Sequence, residues 1–288
     1  MRFLSRLQFK LIICLLGLLP LLVKAETSKD DLATEHLNTA NAYFKQLDQS
    51  QQDSLTHLIS KIRNSDDSLN LVSSNETSQK NAIYLLVQGL EFFDFDLWEP
   101  FDILQKSGHN SYFLHWSKQD SFKSNQNKFR EALSTLIRNF PQNEIVVFGF
   151  SAGGVIALTV WDELMNQLSP DTFSRLSLRN IVAVSHGYGA TRMARIASPF
   201  VGRTTISIGI GIDGKLSHPL IERCEQWITT DGNRDIHARI NADGRSPQVL
   251  QNAACGEDKL HKLPHDGHFS ALSSVLRSSI DEDNLKTN

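Results

Sequence analysis

The chain is predicted to fold as an α/β protein, with a mostly parallel sheet covered by helices on both faces and a helical segment ahead of it. Three observations predict this. Short runs such as AIYLLV and EIVVFGF are apolar at almost every position, as strands buried on both faces must be. These runs alternate with longer stretches of helical periodicity, which implies parallel strands joined by helical crossovers. The composition, 288 residues with 40% hydrophobic and 21% charged, is that of a globular protein and excludes collagen-like, low-complexity and wholly disordered chains. A net charge of -3 supplies no basic field, so no nucleic-acid partner is expected.

In chain order, residues 1–25 read as a secretory signal peptide. Arg2, Arg6 and Lys10 form a basic head, and an apolar run from Leu11 to Val23 closes on Val23-Lys24-Ala25. The run falls short of the about 18–20 apolar residues that span a bilayer, and Pro20 interrupts it. Cleavage after Ala25 is therefore expected, with a periplasmic or secreted product that keeps no permanent membrane span. Cys14 lies inside the run with further apolar residues after it, which argues against an acylated cysteine. Cys224 and Cys255 then remain as an even pair in an oxidising compartment, and a disulfide is the preferred reading over two buried free thiols. It would close a loop of about 30 residues, worth about 3–4 kcal/mol in chain entropy.

Residues 26–80 read as an N-terminal helical segment and linker. Leu32, Leu37, Tyr43, Phe44 and Leu47 mark one apolar stripe, and Leu55, Leu58, Ile59 and Ile62 a second. Such helices are candidates for a lid or a partner-binding arm, or they pack on the domain that follows. From Asn64 to Lys80 the chain loosens into Ser, Asn and Asp, as a linker does. The main domain is expected over 81–288. Its predicted elements are the strand AIYLLVQG, a helix over 98–106, the strand NSYFLHW, a helix over 123–140, the strand EIVVFGF and a helix over 155–167. The strands RNIVAVSHG and RTTISIGIGI follow.

The most informative segment is Gly149-Phe150-Ser151-Ala152-Gly153, directly after one predicted strand and directly before a helix. A serine raised on a sharp strand-to-helix turn needs close neighbours without side chains, which glycine at both flanks supplies. GFSAGGVIAL, set in this strand–helix alternation, resembles the nucleophile elbow of the α/β-hydrolase superfamily. The resemblance extends from about Asn81 to the last helix. It implies the three-layer α/β-hydrolase fold and a triad in the chain order Ser, acid, His.

For the base, His186, His218, His237, His261, His265 and His268 follow the elbow. DKLHKLPHDGHFSALSSVL reads as a short strand, a loop, His268 and a closing helix. A histidine just before the last helix is placed to take the serine proton, which favours His268, with His265 in reserve. The grouping of His261, His265, Asp266 and His268 lacks the i, i+4 arrangement of H-E-x-x-H, so no metal is expected. For the acid, Asp243 follows the plausible strand IHARIN, and NADGRSPQV looks like the family's acid loop. Asp213, after ISIGIGI, is the main competitor, and Asp231 and Asp235 are weaker.

The oxyanion hole needs two backbone N–H groups. Ala152, after the nucleophile, supplies one, and the resemblance points to Leu90 for the other. Where the family usually shows His-Gly this chain has Gln88-Gly89, and an H-G-G-G run is missing. The expected function is an exported serine hydrolase of small-molecule or lipid carboxylic esters, lipase- or esterase-like, with no cofactor. A peptidase or thioesterase on the same triad, or a hydrolase-like binding protein without catalysis, are the alternatives. The aromatic segment LEFFDFDLWEPF either lines an acyl pocket or forms a helix's packed face.

Overall fold

A computed structural model describes residues 37–75, 82–89, 94–117, 120–150, 152–181, 224–229, 260–263 and 268–286. The chain divides between Asp48 and Gln49 into two compact units. Of the first, residues 37–44 are helical. The second unit contains the sheet and all labelled elements below. No helix among the described residues is long and apolar enough to cross a membrane.

The second unit opens with α1 (Gln49–Arg63) and β1 (Leu69–Ser73), followed by β2 (Ala82–Val87) and α2 (Asp94–Lys106). Then come β3 (Asn110–Leu114), α3 (Phe122–Asn139), β4 (Glu144–Phe150) and α4 (Ala152–Gln167). The short α5 (Pro170–Phe173), β5 (Leu176–Ile181), β6 (Cys224–Thr229), β7 (Leu260–Leu263) and α6 (His268–Lys286) are the remaining elements among the described residues. Among the described residues, seven strands form one sheet in the order β1-β3-β2-β4-β5-β6-β7. Only β1 runs antiparallel to its neighbour.

The predicted class is therefore the observed one. Alternate residues of the central strands face opposite layers, which is why AIYLLV must be apolar throughout. Ile83, Leu85, Val87, Ile145 and Val147 meet α3 and α4 through Phe129, Leu133, Ile156 and Trp161. Burial of each such side chain stabilises by about 1.5–3 kcal/mol. The other layer is α1, α2 and α6. There Phe101 of α2 packs edge-on against Phe113, ring centroids 5.3 Å apart, so this part of the aromatic segment is a packed face. Ser121 caps α3, its hydroxyl accepting the Ser124 N–H at 3.1 Å.

Two expectations are corrected. The stretch 64–80 read as a linker contains β1, and α1 and β1 both belong to the unit that starts at Gln49, so the boundary expected at 80/81 falls inside it. The physical reason is that β1 is an edge strand. Only Val72 of LNLVS is buried, which leaves no apolar run to see. Likewise β5 begins at Leu176, earlier than expected. Leu176 and Leu178 are buried while Arg179 carries an ion pair to Glu282, so the strand alternates instead of running apolar.

Candidate functional site

Register sets the strand ends level. Val87 stands opposite Leu114 on one side and Gly149 on the other. Phe150 pairs with Ile181, Ile181 with Trp227, and Thr229 with Leu263. The carboxyl ends of six parallel strands thus form one rim, the place where open α/β sheets hold their ligands.

At the centre of that rim, β4 ends at Phe150 and α4 begins at Ala152, so a single residue separates strand from helix. That residue is Ser151, which itself lies outside the described residues. The flanking glycines are required by sterics. A Cβ on Gly149 would stand 2.7 Å from the Gly154 Cα. A Cβ on Gly153 would run into the Gln88 carbonyl and stand 2.6 Å from that of Val87. Both obstacles are backbone and cannot swing aside. The first turn of α4 is thereby pressed onto the end of β2.

Gly153→Ala is expected to cost about 1–3 kcal/mol, as overpacking does. The measurement is thermal unfolding of the full chain. A melting temperature equal to wild type would contradict this close approach.

The loop after β2 is built from side chains that sequence reasoning passed over. Gln88 is buried, and its Oε1 accepts the Trp116 backbone N–H at 3.3 Å while its Nε2 donates to the Trp116 carbonyl at 3.3 Å. The Trp116 indole N–H donates to the Gly89 carbonyl at 3.1 Å. Nothing local in the sequence signals this, since the partners are 28 residues apart. Next to Trp116, the His115 ring stacks on Phe113 and its Nδ1 lies 3.2 Å from the Asn70 amide. Burial, opposed in part by a backbone hydrogen bond at Ser68, holds its imidazole below the usual range, so it favours the neutral form.

Of the other expected residues, Ala152 is the first of α4, and His268 is the first residue of α6 rather than the last of the loop before it. The strand expected before His268 is present as β7. Cys224 opens β6. Leu90, Asp213, Asp231, Asp235, Asp243, Cys255 and His265 lie outside the described residues.

Helix α6, which carries His268, is fixed along its length by Leu272, Val275 and Leu276, all buried. Toward its far end the Tyr84 hydroxyl donates to Asp283 at 2.7 Å. Burial, then that bond to Asp283, pushes the phenol well above its usual range, so it stays a donor.

No protein-family model matches the chain, and no curated protein matches it. Among solved structures, the mature form of the Bacillus licheniformis lipase BlEst2 is similar over 75% of this chain and 97% of its own, with a TM-score of 0.50 at 14% identity. The propeptide form of that lipase gives a TM-score of 0.51 at 14% identity; 75% of this chain is covered and 53% of that one, about half its length. An α/β serine hydrolase without a lid from Xanthomonas campestris gives 0.44 at 13% identity, over 76% of this chain and 87% of its own.

Proposed function

From the α/β-hydrolase fold that this chain adopts, we propose that the protein is a serine hydrolase of carboxylic esters, lipase- or esterase-like, acting through a covalent acyl-enzyme. The observation that carries this reading is the single-residue junction between β4 and α4, flanked by two glycines that sterics require. Such a turn holds a serine hydroxyl above the sheet at the amino end of a helix, where the oriented amides favour developing negative charge.

In this reading Ser151 attacks the ester carbonyl while His268 takes its proton. His268 then returns that proton to the leaving alcohol. Asp243 orients His268 and offsets the imidazolium charge. The N–H groups of Ala152 and Leu90 receive the oxyanion. A water, deprotonated by the same histidine, releases the acid and restores the serine. The similar structure described as a lipase, in its two forms, supports an ester as substrate by analogy of fold. A fluorophosphonate probe tests the assignment. Wild type should be labelled and Ser151→Ala should not; equal labelling of both would refute the nucleophile. A series of chromogenic esters of rising acyl length, run beside aminoacyl amides, then reads the substrate class.

The reading includes export after cleavage behind Ala25 and a Cys224–Cys255 disulfide. Asp243 lies between the two cysteines, so the bridge would tether the segment that presents the acid. Reduction is expected to lower activity at temperatures where circular dichroism is still native, since a local segment opens before the sheet. Mass spectrometry of unreduced peptides checks the bond, and free thiols at both positions in exported protein would end the idea.

A further inference from the structure

The edge strand β1 meets β3 through a side-chain contact whose protons can be assigned. The Asn70 Nδ2 donates to the Asp67 carbonyl at 2.8 Å and lies 3.2 Å from the His115 Nδ1. A carbonyl oxygen only accepts, so its partner on Asn70 is the amide nitrogen, which only donates. Facing that second donor, the His115 Nδ1 must accept. His115 is therefore neutral, with its ring proton on Nε2.

The contact joins three pieces of chain. Asn70 lies on β1 opposite Phe113, His115 follows the last residue of β3, and Asp67 stands between α1 and β1. The His115 backbone N–H also donates to the Ser68 carbonyl at 2.9 Å. A proton on Nδ1 would set donor against donor. The Asn70 amide could turn its oxygen to the ring only by facing the Asp67 carbonyl with that same group reversed, nitrogen lost and oxygen against oxygen. Among the described residues, burial opposes the charged ring most, and Lys128 of α3 and Arg63 of α1 add to it. The Ser68 carbonyl and Asp120 act in the other direction. Lys128 and Asp120 pair with each other at 2.8 Å, and Arg63 pairs with Asp94 of α2, so these charges largely offset and burial sets the balance.

We propose that His115 is an acid-sensitive latch: neutral, it holds β1 and the turn before it against β3, and a proton on Nδ1 releases them. None of its residues has a task in the reaction proposed above, so the latch is independent of that reading. An imidazole kept neutral by the fold contributes stability that is complete above its unfolded pKa of about 6.5 and is lost as pH falls through the folded value. β1 is the piece to open first, because only Val72 of its five residues is buried. Its release leaves β3 as the border of the sheet, with backbone groups open to pairing.

The test is hydrogen exchange of the full chain at about pH 7.5 and about pH 5, read as protection after correction for intrinsic exchange. In wild type, protection of the peptide 67–73 should fall several-fold more than that of 144–150. The excess is at most about 30-fold, the limit that an unfolded pKa of about 6.5 sets at about pH 5. His115→Gln, which keeps a hydrogen-bonding amide and cannot titrate, should remove the excess. Asn70→Asp should reverse it, because a carboxylate facing Nδ1 favours a proton there. No excess in wild type, an excess retained in His115→Gln, or one undiminished in Asn70→Asp overturns the latch. Should a variant fail to fold, the imidazole nitrogen shifts of wild type decide in its place. A bare Nδ1 at about pH 7.5 is expected, and a proton on it overturns the proposal.

Discussion

Ser151→Ala and His268→Ala should each lose at least about 10³-fold in kcat on a chromogenic ester, and the double variant should lose little more than either alone. In the proposed mechanism the serine and the histidine share one proton-coupled step, so removing either should abolish the same step. What remains would come from substrate binding and the oxyanion donors. Neither change should unfold the protein. The close approaches of Gly149 to Gly154 and of Gly153 to the Val87 and Gln88 carbonyls are between backbones and involve no serine side chain. Helix α6 is fixed by Leu272, Val275, Leu276 and the Tyr84–Asp283 bond, all beyond its first residue. Circular dichroism and melting temperature check this half of the expectation. Substantial turnover by purified Ser151→Ala would remove the elbow from the mechanism.

The second large effect separates two acids. Asp243→Asn should cost orders of magnitude in kcat, up to about 10⁴-fold, while Asp213→Asn stays near wild type. An asparagine at the acid position favours the wrong histidine tautomer and leaves the imidazolium without its counter-charge. The comparison is made as kcat/KM on one ester, with both variants shown to be folded. Reversed values would transfer the role to Asp213, at the end of a different predicted strand.

Those carboxylates also mark where sequence reasoning meets its limit. The central strands were legible because burial on both faces writes an unbroken apolar run, as in AIYLLV and EIVVFGF. The close strand-to-helix junction was legible because its steric demand is local: residues 149 to 153 contain both glycines that the approach requires. β1 and β6 were not, since LNLVS and CEQWIT carry polar residues within them. Gln88 and Trp116 escaped for another reason. A glutamine before a glycine, and a tryptophan after an apolar run, acquire meaning only when parallel pairing brings residues 28 apart into contact. The Tyr84–Asp283 bond joins residues 199 apart and is legible only in space.

The arrangement of β1 has a bearing on colloidal behaviour. Among the described residues the sheet is bordered by β1, of five residues, and β7, of four, whereas the longest strand, β4, has seven and lies at the centre. An open border invites another chain to add a strand, and proteins that must stay dispersed keep such borders short or irregular. β1 is both, since its pairing with β3 slips register between Leu71 and Ser73. The slip breaks the regular row of donors and acceptors that an incoming strand would copy. Leu71, 47% exposed, sits beside that break, so the one large apolar side chain exposed on this strand is next to a backbone ill-suited to templating. The reversed, irregular strand thus acts as a selvedge for the sheet, opposing self-association along its hydrogen-bonding edge.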